Sequence, residues 1–201
     1  MQFHKKAAAY GFYSYLFLMA LWILGFVLPA IWVSQGNSQL AAPFYFAYSF
    51  TCHQLDNRSL CYYPNAEQGV ASCAPTDMDD FAHRDIIISN PVLGDGFKLA
   101  VCARDFGIYT SMLLGAIAWA IFNRKNLATS KWPHPIWLIL AIIPIALDGG
   151  TQLLEWRQST NELRILTGVI VGFVVAFYLV PVFNQIFNPI ISDVTEHFRK
   201  K

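Results

Sequence analysis

Charged residues are scarce in this chain. Asp, Glu, Lys and Arg together make up 13% of the 201 residues, whereas hydrophobic residues make up 55%. A soluble domain contains about 25% charged residues, so this composition excludes an ordinary water-soluble fold and favours the lipid bilayer as the main solvent. The formal net charge is only +1. There is therefore no overall electrostatic attraction to nucleic acid, and none is expected as a partner.

Several familiar enzyme signatures are also missing. The sequence contains no phosphate-binding loop, no dinucleotide fingerprint and no serine nucleophile motif, which removes the common ways of assigning an activity from a short motif. It has no internal repeat, and it contains only four cysteines. Any function must therefore be sought in individual polar residues and in their positions along the apolar stretches.

Four apolar stretches are long enough to cross a membrane, which needs about 20 helical residues. We predict an all-α integral membrane protein that forms a single membrane domain over residues 1–201, with transmembrane helices at about residues 7–33, 99–122, 135–156 and 164–187. A signal peptide is the rival interpretation of the first stretch. Its apolar run exceeds the usual length of about 7–15 residues, and no convincing cleavage site follows it, so we interpret it as a membrane anchor.

The distribution of basic residues predicts the orientation of these helices. Lysine and arginine precede the first helix, fill the link between the second and third helices, and end the chain: Lys5, Lys6, Arg124, Lys125, Lys131, Arg199, Lys200 and Lys201. Because such segments stay in the cytoplasm, both termini are predicted to be cytoplasmic, and the long acidic loop over residues 34–98 is predicted to be extracytoplasmic. Within that loop we expect a short interfacial helix at residues 40–50 and a short strand at residues 86–89.

Polar residues on the second, third and fourth helices are predicted to meet near their extracytoplasmic ends. Two helix faces carry them at spacings of three and four residues: Cys102, Asp105 and Tyr109 on the second helix, and Asp148, Gln152 and Glu155 on the third. A carboxylate that faces lipid costs several kcal/mol, so both faces should point into the bundle, with Arg104, Arg157 and Arg164 as partners. Pro144 and Gly149 predict a kinked or broken third helix at the same level.

Motifs across these segments resemble a known family of membrane proteins. They are, in chain order, Cys52-His53-Gln54 with Arg58-Ser59, Cys102-Ala103-Arg104-Asp105 with Gly107-Ile108-Tyr109, Pro144 with Asp148-Gly149 and Thr151-Gln152, and Ser159-Thr160-Asn161 with Arg164 and Thr167-Gly168. This combination is similar to the predicted membrane proteins of domain of unknown function 2085, over residues 51–172. The resemblance implies a fold and a polar site, but no activity. Many members of that family have a cysteine at the position of Asp105, so a strict thiolate site does not carry over to this chain.

The cysteines allow two interpretations that partly exclude each other. One set of residues offers the ligand types of a zinc or iron site, because a carboxylate can replace a thiolate as an anionic ligand: Cys52, His53, Cys102 and Asp105. Alternatively, an oxidising location favours disulfides, which would pair Cys61 with Cys73 and Cys52 with Cys102. Cys52 and Cys102 cannot serve both purposes at once, and the sequence leaves the choice open.

These observations lead to three functional hypotheses. The first is a small multi-pass protein of the cell membrane, an enzyme or a binding protein, whose outward-facing pocket takes a lipid-linked or membrane-diffusing anionic substrate. Its acid, base or ligand groups would be His53, Asp105 and Asp148. Its binding groups would be Arg104, Tyr109, Gln152, Arg157, Asn161 and Arg164.

The second hypothesis is an accessory or structural subunit of a larger membrane complex, in which the polar residues form only a buried ion-pair network. The third is a transporter, which four helices could form only as an oligomer.

Overall fold

The computed structural model describes residues 9–73 and 84–199, with side chains as far as residue 194. Within these residues the chain forms five α-helices and one four-stranded sheet. In chain order the elements are α1 (Tyr10–Ser34), α2 (Ser38–Ser49), β1 (Ser59–Tyr62), β2 (Val70–Ser72), β3 (Ile87–Asn90), β4 (Gly94–Cys102), α3 (Ala103–Phe122), α4 (Ile136–Leu153) and α5 (Asn161–Arg199). Part of the basic-residue pattern used for the orientation lies outside the described residues, namely Lys5, Lys6, Lys200 and Lys201.

Four of these helices correspond to the four predicted membrane spans. Each of α1, α3, α4 and the Asn161–Val194 part of α5 is long and apolar enough to cross a bilayer. The prediction of a mostly helical protein with four candidate spans is therefore confirmed by length and composition. The predicted boundaries are close, except that α5 continues to Arg199 instead of ending at residue 187.

Of the kink or break predicted for the third span, the break is wrong, and the kink stays a prediction. α4 runs without interruption from Ile136 to Leu153, through Pro144 and the Gly149-Gly150 pair. Proline removes a single backbone N–H donor, whereas a full break would leave several backbone groups without partners in a medium that lacks water. The chain turns towards α5 only at Glu155, which has a φ of 58°.

The connection between α1 and α3 carries a small antiparallel sheet, so the all-α prediction is wrong in this respect. The strand order is β2-β1-β4-β3. Residues 99–102, predicted to begin the second span, are the end of β4. Three consecutive residues of this strand are buried, namely Leu99, Ala100 and Val101. Side chains alternate along a strand, so both faces of β4 are covered here. Such a strand has a continuous apolar sequence, which merges with that of α3.

α2 covers most of the predicted interfacial segment and packs against α1 and β4. The hydroxyl of Tyr48 donates to the carbonyl oxygen of Trp22 in α1 at 2.6 Å. The hydroxyl of Tyr45 donates to the carbonyl oxygen of Lys98 in β4. These two contacts hold α2 between α1 and the sheet, and they bring the segment that follows α2 beside the end of β4.

α3 and α5 pack closely through glycine residues. A Cβ atom at Gly107 would lie 2.6 Å from a carbonyl oxygen of α5, and Gly168 and Gly172 of α5 approach the backbone of α3 in the same way. Small residues permit such close contact between membrane helices. The contact places the first turns of α3 and α5 side by side, which brings Arg104 and Arg164 to one cavity.

Candidate functional site

A polar cavity lies where α4 ends and where α3 and α5 begin. It has a large lobe of about 590 Å³ and a small lobe of about 180 Å³. Both lobes are lined by Arg58, Arg104 and Gln152. The large lobe is lined in addition by Gly149, Leu153, Glu155, Arg157 and Gln158, and the small lobe by residues 51–55, Cys102, Asp105 and Arg164. The shared side chains form a wall common to both lobes, so the two lobes adjoin one another.

Asp148 of α4 forms ion pairs with two arginines. Its Oδ2 accepts a hydrogen bond from Nη2 of Arg104 at 2.5 Å, and its Oδ1 accepts one from Nη2 of Arg157 at 2.8 Å. The Asp148 side chain is 2% exposed, whereas those of Arg104 and Arg157 are 25% and 41% exposed. Both carboxylate oxygens are engaged. This geometry suits Asp148 to hold two guanidinium groups in position, and the acid, base or ligand role expected from the sequence stays a prediction.

Arg164 of α5 is buried and contacts neutral oxygen atoms. Its Nη1 donates to the side-chain oxygen of Asn161 at 2.8 Å and to the carbonyl oxygen of Asn57 at 3.2 Å. With its amide oxygen turned towards the arginines, Gln152 accepts from Nη2 of Arg164 at 3.0 Å and from Nη2 of Arg58 at 3.1 Å. The side-chain amide of Gln152 therefore joins the guanidinium groups of Arg58 and Arg164. In these contacts the charge of Arg164 is stabilised by neutral amide and carbonyl oxygens and not by a carboxylate.

Cys52, Cys102 and Asp105 form a compact group on the wall of the small lobe. Their sulfur and carboxylate oxygen atoms lie within 4.8 Å of one another. The thiol of Cys102 donates to Oδ2 of Asp105 at 3.1 Å. The sulfur of Cys52 accepts from the backbone N–H groups of Cys102 at 3.0 Å and Gln54 at 3.4 Å. The neighbouring Cys102 side chain lowers the pKa of the Cys52 thiol, whereas contact with Cys52 and burial raise the pKa of the Cys102 thiol.

The two cysteine pairs considered from the sequence differ in the structure. Cys61 in β1 and Cys73 after β2 form a disulfide. Cys52 and Cys102 are free thiols in this structure, and the disulfide considered for them stays a prediction. His53 is exposed on the lining of the small lobe and lies outside the compact group of thiols and carboxylate. Three of the four candidate metal ligands are thus together, and the histidine is apart.

The segment that carries Cys52 is held in place by buried polar contacts. Gln54 has a φ of 53°, and its side chain donates to carbonyl oxygens of α2 at 2.8 Å and of β4 at 2.9 Å. Lys98 is 1% exposed, pairs with Asp56 at 2.6 Å, and donates to the carbonyl oxygen of Gln54 at 3.0 Å. A left-handed conformation outside glycine costs about 1–3 kcal/mol and persists only where the surroundings enforce it. These contacts supply that enforcement.

Arg58 is a site residue to which sequence reasoning assigns no role. It lines both lobes, and burial lowers its pKa, with a further decrease from the neighbouring Arg104. In the sequence it is one of several charges in a long connection. Its signal in the sequence is that Arg58-Ser59 is one of the motifs that carry the family resemblance.

Two residues expected to bind the ligand lie outside the lining of both lobes. Tyr109 packs edge-on against Trp22, with ring centres 5.6 Å apart, and also lies beside Phe26. Asn161 donates from its amide to the hydroxyl of Ser72 at 3.2 Å and accepts from Arg164. Asn161 therefore positions Arg164 against the sheet, and Tyr109 belongs to an aromatic cluster.

Comparison with known proteins finds a family of predicted membrane proteins and two uncharacterized archaeal proteins with similar sequences. A family described as predicted membrane proteins, domain of unknown function 2085, matches residues 90–178. An uncharacterized protein of Methanocaldococcus jannaschii is 39% identical over 141 residues, which cover 70% of this chain and 69% of that protein. An uncharacterized protein of Methanothermobacter thermautotrophicus is 34% identical over 77 residues, which cover 38% of this chain and 66% of that protein. No solved structure matches the chain. The region matched by the family contains Cys102 to Asp105, Asp148 and Arg164.

Proposed function

This chain belongs to the family of predicted membrane proteins known as domain of unknown function 2085. On that premise we propose that it is an enzyme or binding protein of the cell membrane. It would take an anionic headgroup into the arginine-lined cavity. The substrate would be a lipid-linked or membrane-diffusing molecule that carries a phosphate or carboxylate. The cavity would open on the extracytoplasmic side, following the basic-residue pattern.

The observation that carries this proposal is the convergence of guanidinium groups on one cavity. Arg58 and Arg104 line both lobes, while Arg157 and Arg164 each line one. Asp148 holds Arg104 and Arg157 in place, and Arg164 is bonded to neutral oxygens. Guanidinium groups bind phosphate and carboxylate through paired N–H donors. A ligand anion would therefore neutralise the charge of Arg164, which in the structure contacts neutral oxygen atoms.

The surroundings of the cavity favour a ligand with an apolar part. Leu153 lines the large lobe and is 85% exposed, and the nearby Trp156 is 74% exposed. Both lie at the end of a candidate membrane span, where aromatic side chains sit among lipid headgroups. A headgroup bound by the arginines could thus leave its chain in the bilayer. His53 and Asp105, both on the small lobe, are the groups proposed to exchange protons with it or to hold it.

The test compares ligands that differ only in their anionic group. Purified protein in detergent is heated with farnesyl phosphate, farnesol or inorganic phosphate, and its melting temperature is followed. We expect farnesyl phosphate to raise the melting temperature, farnesol to have little effect, and Arg164→Gln to abolish the difference. Arg124→Gln is the matched control, because Arg124 follows the opposite end of α3. Equal stabilisation by the phosphate and the alcohol would contradict the proposal.

A second candidate is an accessory subunit of a larger membrane complex, which the packing of α4 favours. Only 11% of the spanning part of α4 is buried, against 28–33% for the other three candidate spans. A helix so weakly covered has an apolar surface available to lipid or to another protein. Purification in a mild detergent from the native host decides between the two candidates, because a subunit would co-purify with other chains in fixed stoichiometry.

A further inference from the structure

Three ligand-type side chains from two parts of the chain meet in the small lobe. Cys52 follows α2, whereas Cys102 ends β4 and Asp105 lies in the first turn of α3. Their ligand atoms lie within 4.8 Å of one another. A tetrahedral zinc ion with Zn–S bonds of about 2.3 Å separates its ligand atoms by roughly 3.8 Å. Small side-chain rotations would therefore convert the group into a coordination shell.

The backbone around Cys52 is arranged to stabilise negative charge on its sulfur. The N–H groups of Cys102 and Gln54 both donate to it, at 3.0 Å and 3.4 Å. Hydrogen bonds of this kind orient a metal ligand and strengthen an anionic acceptor. The left-handed conformation of Gln54 accompanies this contact, and its side chain is fixed by hydrogen bonds to α2 and β4.

A reversible disulfide is the other chemistry open to two neighbouring thiols. A redox-active dithiol depends on surroundings that favour the thiolate, such as nearby cations. Here the carboxylate of Asp105 accepts from the Cys102 thiol at 3.1 Å and lies close to both sulfurs. The arginines that line the small lobe favour a thiolate, whereas the carboxylate of Asp105 opposes it. The carboxylate is what separates the two chemistries, because a disulfide has no use for it, whereas a divalent cation would bind all three ligands.

We infer that Cys52, Cys102 and Asp105 bind one zinc ion, with a fourth coordination position open to the small lobe. Three protein ligands with an open position are typical of catalytic rather than structural zinc sites. Arg58, Arg104 and Arg164 line the same lobe, so an oxygen of an anion held there would be within reach of the ion. Only this last step rests on the proposed function, and zinc binding itself does not depend on it.

The experiment measures zinc per chain in the full-length protein, purified in detergent under mild reducing conditions, stripped with a chelator and reloaded with zinc chloride. We expect one zinc per chain, and cobalt-loaded protein should show sulfur-to-cobalt charge-transfer absorption. Cys52→Ser and Cys102→Ser should abolish both signals, and Asp105→Asn should weaken zinc binding by at least about tenfold. Asp105→Cys should retain zinc and strengthen the absorption, because a thiolate replaces the carboxylate. His53→Ala is the matched control and should keep the stoichiometry of the wild type.

Alkylation of the wild-type protein tests the same site without any variant that could misfold. Zinc should slow alkylation of Cys52 and Cys102, and a chelator should restore it. Wild-type protein that takes up no zinc, or whose two thiols react equally fast with and without zinc, would overturn the inference. Iron bound in place of zinc would overturn the assignment of the ion. Retention of zinc without binding of farnesyl phosphate would contradict the proposed function and leave the zinc site intact.

Discussion

Replacing Asp148 with Asn keeps the shape of the side chain and removes its charge, so Asp148→Asn measures what the two arginine pairs contribute to stability. Removing one partner from a buried ion pair costs about 3–5 kcal/mol. Asp148 is 2% exposed, but Arg104 and Arg157 are 25% and 41% exposed. Water can solvate the two arginines once the carboxylate is gone, which reduces the loss. We therefore expect the free energy of unfolding to fall by about 2 kcal/mol.

Thermal unfolding of the purified protein in one detergent, followed by circular dichroism, checks this value. A loss of about 2 kcal/mol corresponds to a decrease of about 4–8 °C in melting temperature for a chain of this size. Glu155→Gln is the matched control, because it removes a carboxylate from the exposed rim of the same cavity. A surface change of that kind should alter stability by less than about 0.5 kcal/mol.

A double-mutant cycle with Arg104→Gln tests the physical reason for the effect. If Asp148 stabilises the protein through Arg104, the double variant should lose about 1 kcal/mol less than the sum of the single variants. Effects that add to within about 0.3–0.5 kcal/mol would refute the role of Asp148 as the group that holds Arg104. Asp148→Asn should also weaken binding of farnesyl phosphate, because Arg104 loses its support.

Three further predictions concern the sheet, the helix contact and the orientation. Lys98→Met leaves the carboxylate of Asp56 without its cation and should lower the unfolding free energy by about 3 kcal/mol. The same thermal assay measures this loss, and an unchanged melting temperature would contradict the pairing. Gly107→Ala should cost about 1–3 kcal/mol because its Cβ would press on α5, whereas Gly150→Ala, which meets nothing within 4 Å, should be neutral or stabilising. In variants that keep a single cysteine, an impermeant thiol reagent on intact, reduced cells should label Cys73 but not Lys125→Cys, and the reverse result would invert the proposed orientation.

The four spans could be predicted from the sequence because hydropathy over about 20 residues reports directly on the membrane as solvent. Of the sheet, only the strand expected at residues 86–89 has a counterpart, β3. β1 and β2 could not be predicted, because they contain only four and three residues. The last residues of β4 are apolar and continuous with α3, so periodicity alone does not separate strand from helix there. The ion pair between Lys98 and Asp56 could not be predicted either, because the two residues are far apart in the sequence. There they only add to the overall charge of a loop.

The site residues on helices could be predicted from their spacing, whereas the conformation of the segment between α2 and β1 could not. Spacing along α3 and α4 selects Cys102, Asp105, Asp148 and Gln152, which the structure places in or beside the cavity. It also selects Tyr109, which packs in an aromatic cluster instead, because spacing defines a face but not which neighbour covers it. Arg58 reaches the cavity through the turn after Cys52, a conformation that depends on contacts with α2 and β4 and has no local sequence signature.

The direct junction between β4 and α3 has a consequence for the order of biogenesis. Cys102 ends the strand and Ala103 begins the helix, with no residue between them to absorb a rotation. Insertion of α3 into a bilayer needs only its apolar sequence, but pairing of Ser59 with Cys102 requires the distant strand β1 to be in place. Helices of membrane proteins insert before their tertiary contacts form. It follows that the rotation of Arg104 and Asp105 is set late, by assembly of the sheet together with the contact between α3 and α5. A chain halted after insertion would have its spans and lack its site.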